Sequence, residues 1–296
     1  MDILLIGGSR FVGPLVIGEL LKRGHKVTVF NRGHIAQSYP EKVHFIKGDR
    51  ENSFGALKNR FNAVIDMCAY NGEHTRRALA EIHFDFFVHF STVAVYKKTE
   101  TFPLTEESPL GNWPVWGRYN KGKVECEEEL KKSGVKYASL RPVYILGPKN
   151  YIDRERFIYG KLKQGDPIII PGNGQAPVQC VSSFDVARVL TFLAEEQIEG
   201  AFNSAADEVI TLKHLVKEMA NTAGQVPIIR YNPETDGEKF NPLEFPFANE
   251  PMAVSNEKLK SRGISFKPLL QLLKEDYEEY YKFLAGNYEK YRHSIV

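Results

Sequence analysis

Short apolar runs separated by stretches of helical period dominate the first half of the chain. The runs Asp2–Ile6, Lys26–Phe30, Val43–Ile46, Ala63–Asp66, Phe86–Phe90 and Tyr137–Leu140 have strand length and end at turn residues. Between the first two, Pro14–Arg23 places Leu15, Ile17, Leu20 and Leu21 on a helical repeat and stops at Gly24. Pro14 fits there because the first turn of a helix needs no N–H donor from it. The middle runs are apolar without alternation, as strands covered on both faces require. Strand–helix alternation with right-handed crossovers predicts an α/β fold, a doubly wound parallel sheet over residues 1–145.

After Pro142 the pattern breaks. Residues 146–182 are rich in glycine and proline, as in "GPKNY" and "PGNGQAPV". A helical segment follows at Phe184–Glu196, residues 226–256 form a proline-rich stretch of loop character, and Leu269–Phe283 is amphipathic and aromatic. The expectation is a smaller C-terminal lobe over residues 146–296, with 176–205 returning to the sheet.

Composition narrows the partners. The 296 residues suffice for one large domain or a domain plus a lobe. A net charge of +2 speaks against a dedicated nucleic-acid binder, which would be more basic and clustered. No stretch approaches the ~20 apolar residues of a membrane helix, and "MDILLIGG" lacks the length and basic flank of a signal peptide. Three scattered cysteines, Cys68, Cys126 and Cys180, fit a reducing, cytoplasmic compartment. No Cys/His cluster has metal spacing, so no metal site is expected. The GxSxG pattern fails at Phe11, and GxxxxGK[ST] is absent.

Candidate chemistry gathers at two places. In "GGSRFVG", Gly7, Gly8 and Gly13 lie between a strand and a helix, where backbone N–H groups can approach a pyrophosphate. Arg10 stands where such loops usually carry glycine. The second strand ends in Asn31-Arg32 instead of an acid, which favours a 2′-phosphate and hence NADP over NAD. Asp49 is placed either to meet an adenine amino group or to cap a turn.

The second place is "YNKGK", with Tyr119 and Lys123 at i, i+4 on one helix face. An ammonium beside a phenol lowers its pKa, so Tyr119 becomes a candidate acid or base near neutral pH. The fifth strand ends in Ser91-Thr92, and the Thr92 hydroxyl could hold a substrate oxygen. A second YxxxK, Tyr159–Lys163, follows the sixth strand and reads as a decoy.

The stretches "GGSRFVG", "GDR", "VIDMCAY", "STVAVY", "YNKGK", "LRPVYILGP", "PGNGQAPVQCVSSFDVA" and "AFNSA" together resemble the extended short-chain dehydrogenase/reductase, or NAD-dependent epimerase/dehydratase, family. The resemblance implies a Rossmann domain binding NAD(P) and a C-terminal lobe binding a substrate, commonly a nucleotide sugar. It implies a catalytic set of Thr92, Tyr119 and Lys123. It implies a cofactor site of Gly7, Gly8, Ser9, Arg10, Phe11, Val12 and Gly13 for the phosphates, and Asn31, Arg32, Asp49 and Arg50 for the adenosine. Met67, Cys68, Ala69, Ser91, Pro142 and Val143, with Tyr119 and Lys123, would face the nicotinamide end. Members often dimerise through the helix carrying YxxxK, and Trp113 and Trp116 precede it as candidate interface or lid residues.

Three departures qualify the likeness. Nucleotide-sugar 4,6-dehydratases carry Asp-Glu after the threonine, where this chain has Val93-Ala94, so that reaction is not expected. "VYG" becomes "VYK" at Lys97, and Gln179 stands near the usual place of a diphosphate-binding arginine. The GG-x-R-F-x-G loop is similar to that of the branch holding the chloroplast stem-loop-binding proteins, some of which bind RNA. The leading expectation is an NADP-dependent oxidoreductase or epimerase of a sugar. An RNA-binding or non-catalytic member and a reductase of a small carbonyl compound are the alternatives.

Overall fold

Uninterrupted apolar strands need cover on both faces, and the computed structural model supplies it. It describes residues 1–35, 39–152 and 154–283. The first half runs β1 (Asp2–Ile6), α1 (Val12–Lys22), β2 (Lys26–Asn31), β3 (Val43–Lys47), β4 (Arg60–Asp66), α2 (Gly72–Glu81), β5 (His83–Phe90), α3 (Gly117–Ser133) and β6 (Tyr137–Pro142). The second runs β7 (Tyr144–Leu146), α4 (Arg154–Gln164), β8 (Ile168–Pro171), β9 (Pro177–Val178), β10 (Cys180–Ser182), α5 (Ser183–Glu196) and β11 (Gly200–Ser204). It ends with β12 (Ile210–Thr211), α6 (Leu212–Thr222), β13 (Ile229–Asn232), α7 (Glu257–Lys260) and α8 (Leu269–Glu279).

The central sheet is parallel, in the order β11-β6-β5-β4-β1-β2-β3. Alternate residues of β1 enter different cores. Ile3 and Leu5 pack with α1 and α5 residues such as Val16, Leu20, Val186 and Leu190. Leu4 and Ile6 join Ala78 of α2 and Leu130 of α3 on the other face. The sheet is therefore the doubly wound form, with residues 183–204 returning to it as α5 and β11. No described helix is long and apolar enough to cross a membrane.

Several boundaries move from their expected places. α1 begins at Val12, two residues before the predicted start, because Gly13 packs against the backbone of Gly8. The stretch 226–256, expected as loop, contributes β13, which pairs with β8. The C-terminal helix stops at Glu279 and continues as one tighter turn, Tyr281–Phe283.

The second lobe has its own core, built from Leu146, Ile158, Leu215, Met219, Phe245, Phe247 and Leu272 among others. It also buries two acids. Glu155 accepts hydrogen bonds from Gly147 N and from Asn150 Nδ2 (3.1 Å). Burial pushes Glu155 up to about 7. Burial, with the charge of Glu155 added, pushes Asp276 up to about 7 as well. An acid whose folded pKa is raised binds its proton longer in the folded chain than in the unfolded one. Stability is expected to fall as pH rises from about 4.5, where an unfolded Glu ionises, to about 7. Glu155→Gln keeps an acceptor for Gly147 N and should flatten that slope in urea titrations across pH. Equal slopes for both proteins would refute this account.

Candidate functional site

The C-terminal ends of the sheet strands open into a cleft of about 770 Å³. At one end lies the glycine turn. Gly7 (φ 90°) and Gly8 (φ 75°) adopt the left-handed region that glycine enters without penalty. A Cβ on Gly13 would lie 2.3 Å from the Gly8 carbonyl oxygen, so that position admits no side chain. Phe11 enters α1 at φ 49°, no side chain caps the helix, and its first turn holds no acid. The opening N–H groups and the dipole of α1 therefore suit an anion.

Arg10 needs no glycine conformation, since the left-handed φ falls on Phe11. Its side chain is exposed at the cleft, with the guanidinium 6.0 Å from the ring centre of Tyr151. Phe11 meets the same ring edge-on at 6.3 Å. The loop thus touches the second lobe. Ser9 and Val12 also line the cleft, and Arg32 is exposed on its rim.

Other members of the expected adenosine set are engaged within the fold. The Asn31 amide donates to Gly7 O (3.0 Å) and to the Tyr39 hydroxyl (2.9 Å), and accepts from Gly33 N (2.8 Å). It braces the turn. Asp49 accepts from Glu51 N (3.0 Å), closing a turn that no helix follows. Arg50 grips Asp66 with two hydrogen bonds of 2.7 and 3.0 Å, and also donates to His74 O (2.9 Å) and Cys68 Sγ (3.3 Å). Its donors point into the protein, although the residue borders the cleft.

At the other end stand Met67, Cys68, Pro142 and Val143. Ala69 is fully buried behind them. Ser91 borders the cleft but donates its hydroxyl to Glu127 (2.5 Å), which also pairs with Arg141. Thr92 caps the single turn Val93–Val95 by accepting from Ala94 N (3.2 Å), and its hydroxyl favours the ionised form of the Tyr119 phenol. Lys123 donates to Phe90 O (2.7 Å) and lies 5.2 Å from the Tyr70 ring centre. Thr92, Tyr119 and Lys123 all line the cleft.

The titration of this set differs from expectation. Tyr119 as a whole is 44% exposed on the cleft, but desolvation around its phenol raises it above its ordinary value, while Thr92 and the charge of Arg154 pull it down. The Lys123 ammonium is engaged by Phe90 O and the face of Tyr70. The shared helix face predicted the opposite direction for the phenol. Burial lowers Lys123 itself.

What fixes α3 is legible in small residues. A Cβ on Gly122 would sit 2.0 Å from Tyr70 O, so the helix touches the loop after β4 backbone to backbone. Asn120 donates to Ala94 O (2.6 Å) and Gly111 O (2.8 Å) and accepts from Trp113 N (3.3 Å). It clamps Tyr119 to the Thr92 turn. Sequence reasoning passed over Asn120, although it lies inside "YNKGK".

It also passed over Tyr70, Tyr144, Tyr151 and Arg154, which line the cleft from loops and the second lobe. Of the two tryptophans, Trp116 lines the cleft, whereas Trp113 is fully buried and donates Nε1 to Glu250 (2.8 Å). Trp113 is therefore not on a surface where it could form an interface. Tyr159 of the second YxxxK packs in the second lobe's core, 4.9 Å from Tyr277 and 5.2 Å from Tyr281. Gln179 is tied at both ends, to Ala206 O and Val254 N, away from the cleft. Among the described residues no cluster of acidic, histidine or cysteine side chains could hold a metal ion.

The family model described as NAD dependent epimerase/dehydratase matches residues 3–205. The chain belongs to that family. Among curated relatives, the chloroplast stem-loop binding protein of 41 kDa b from Arabidopsis thaliana is 32% identical over 92% of this chain and 76% of its own length. The UDP-glucose 4-epimerase of Lactobacillus helveticus is 27% identical over 50% of the chain and 52% of its length. The family's fold recurs in the Thermus thermophilus UDP-glucose 4-epimerase complex with NAD (TM-score 0.77, 19% identity, 96% of this chain, 100% of that one). It recurs equally in a dTDP-glucose 4,6-dehydratase from Bacillus anthracis in complex with NAD (TM-score 0.78, 19% identity, 96% and 98% covered).

Proposed function

We propose that this family member is a nicotinamide-dinucleotide-dependent oxidoreductase or epimerase of a sugar, with NADP as the preferred cofactor and a nucleotide sugar as the substrate class. The observation that carries this reading is the convergence of Thr92, Tyr119 and Lys123 on a cleft whose far end is the uncapped start of α1. The residues present fit such a cofactor. Gly7, Gly8 and the first N–H groups of α1 would take the pyrophosphate, and Arg32 would take a 2′-phosphate. Bound there, the cofactor would supply hydride transfer. The protein's part is proton handling and position. The Tyr119 hydroxyl, beside Thr92 in the cleft, gives or takes the proton of the reacting oxygen. Lys123, fixed by Phe90 O, sets the floor of that end of the cleft. Val93 and Ala94 follow Thr92 and carry no proton, which supports a reaction other than 4,6-dehydration.

Arg32→Ala is expected to reduce the preference for NADP over NAD by about tenfold or more, the usual worth of hydrogen bonds to a charged group. Fluorescence titrations with each dinucleotide measure it, and an unchanged preference would remove Arg32 from the site. NADPH consumption screened over nucleotide sugars and simple ketones then tests the substrate class. A second reading, RNA binding, is favoured by the likeness to the Arabidopsis stem-loop binding protein. Stem-loop affinity that falls steeply with salt would support it.

A further inference from the structure

The residues beyond Val143 that line the cleft are Tyr144, Ile145, Tyr151, Ile152, Arg154 and Met252. Arg154 is the charged member of that set. Its guanidinium carbon lies 5.1 Å from the ring centre of Tyr144 and 5.7 Å from that of Phe247, so two aromatic faces hold its position. Its Nε is buried and has no hydrogen-bond partner among the described residues. No described carboxylate pairs with it. The adjacent Glu155 is occupied by Gly147 N and Asn150, and burial keeps that acid from ionising until about pH 7. Arg154 is half-buried and lines the cleft, and a guanidinium there without a carboxylate partner suits an acceptor from the ligand. The charge also reaches the reacting end, because it acts on the Tyr119 phenol.

We propose that Arg154 is a specificity-determining residue that binds an oxyanion of the substrate, a carboxylate or phosphate carried on the sugar near the carbon served by Tyr119. The planar fork of arginine matches either group with paired hydrogen bonds. The substrate is then an acidic sugar, and neutral analogues are rejected because they leave the guanidinium unpaired. This rests on the reading of the cleft as a dinucleotide-dependent sugar site.

The test uses the full chain saturated with NADP and two matched pairs of probes. UDP-glucuronic acid against UDP-glucose reports a carboxylate, and glucose 6-phosphate against glucose reports a phosphate. Calorimetric binding is expected to favour the acidic member of at least one pair by about tenfold or more. Arg154→Met should erase that preference while NADP affinity and thermal stability hold. Arg154→Lys, which keeps the charge without the fork, should retain part of it. No preference in either pair, or a preference that survives Arg154→Met, overturns the proposal. Failure of the native chain to bind either dinucleotide overturns the underlying reading instead, and is visible in the first titration.

Discussion

Tyr119→Phe is expected to slow hydride transfer by about 10²- to 10⁴-fold, the usual worth of a positioned proton carrier, with dinucleotide affinity unchanged. The substitution deletes one hydroxyl, which faces the cleft beside the Thr92 turn. The ring stays on α3, which is clamped by Asn120 and seated on Tyr70 O through Gly122. Because the loss falls on the transition state, kcat and kcat/KM should drop together. The raised phenol also sets a pH dependence. Below its pKa Tyr119 keeps its proton, so carbonyl reduction should hold its rate across neutral pH, whereas alcohol oxidation should accelerate as pH rises. Stopped-flow measurement of NADPH absorbance with any turned-over substrate checks both. An unaffected rate in Tyr119→Phe would remove the residue from the chemistry.

Arg50→Ala is expected to destabilise the fold by about 3–5 kcal/mol, the range for breaking a buried ion pair by removing one partner. Asp66 is fully buried and takes two hydrogen bonds from Arg50. Burial pushes its carboxyl up, but the charge and hydrogen bonds of Arg50 outweigh this and hold it below its ordinary 3.8. In the native chain that stabilisation is present above pH 3.8 and is lost as pH falls through the lowered folded value. Without Arg50 the buried carboxyl keeps only the Cys68 N–H donor and its pKa rises, so the variant should gain stability on mild acidification. Replacing both, Arg50→Met with Asp66→Leu, should recover much of the loss, because it removes the buried charge itself. Urea denaturation across pH decides this. A variant of native stability with weakened NADP binding would return Arg50 to the cofactor site, where its sequence position had suggested it.

The contrast at Arg50 shows where sequence was informative. "GDR" follows a strand end, which places the arginine beside the cleft, but not the direction of its guanidinium. The inner strands β1, β2, β4, β5 and β6 were legible because burial on both faces leaves apolar runs, and the edge strand β3 because of its β-branched and aromatic residues. The return of 176–205 to the sheet was expected, but the β11 strand itself was not marked, since "GAFNS" ends in Asn203 and Ser204, buried polar residues that owe their strand to pairing with β6. That Thr92, Tyr119 and Lys123 border one cleft was legible from the strand end and the i, i+4 spacing. The Tyr119 shift was not, because i, i+4 spacing fixes a shared face and leaves the lysine free to turn toward Phe90 O. Arg154 and Tyr151 were invisible for a further reason. Their roles arise where the second lobe approaches the sheet, across more than a hundred residues from Gly7.

The place of β11 bears on how the chain is made. Synthesis proceeds from the N-terminus, and domains generally fold as units as they emerge. When Pro142 has left the ribosome, six of the seven parallel strands exist, yet β6 still has an open edge. Its partner, Gly200–Ser204, follows only after α4, β7 to β10 and α5 have been synthesised. An unpaired strand edge is a template for pairing with other chains. Closing that edge therefore waits on Gly200–Ser204, the last strand of the sheet to be made.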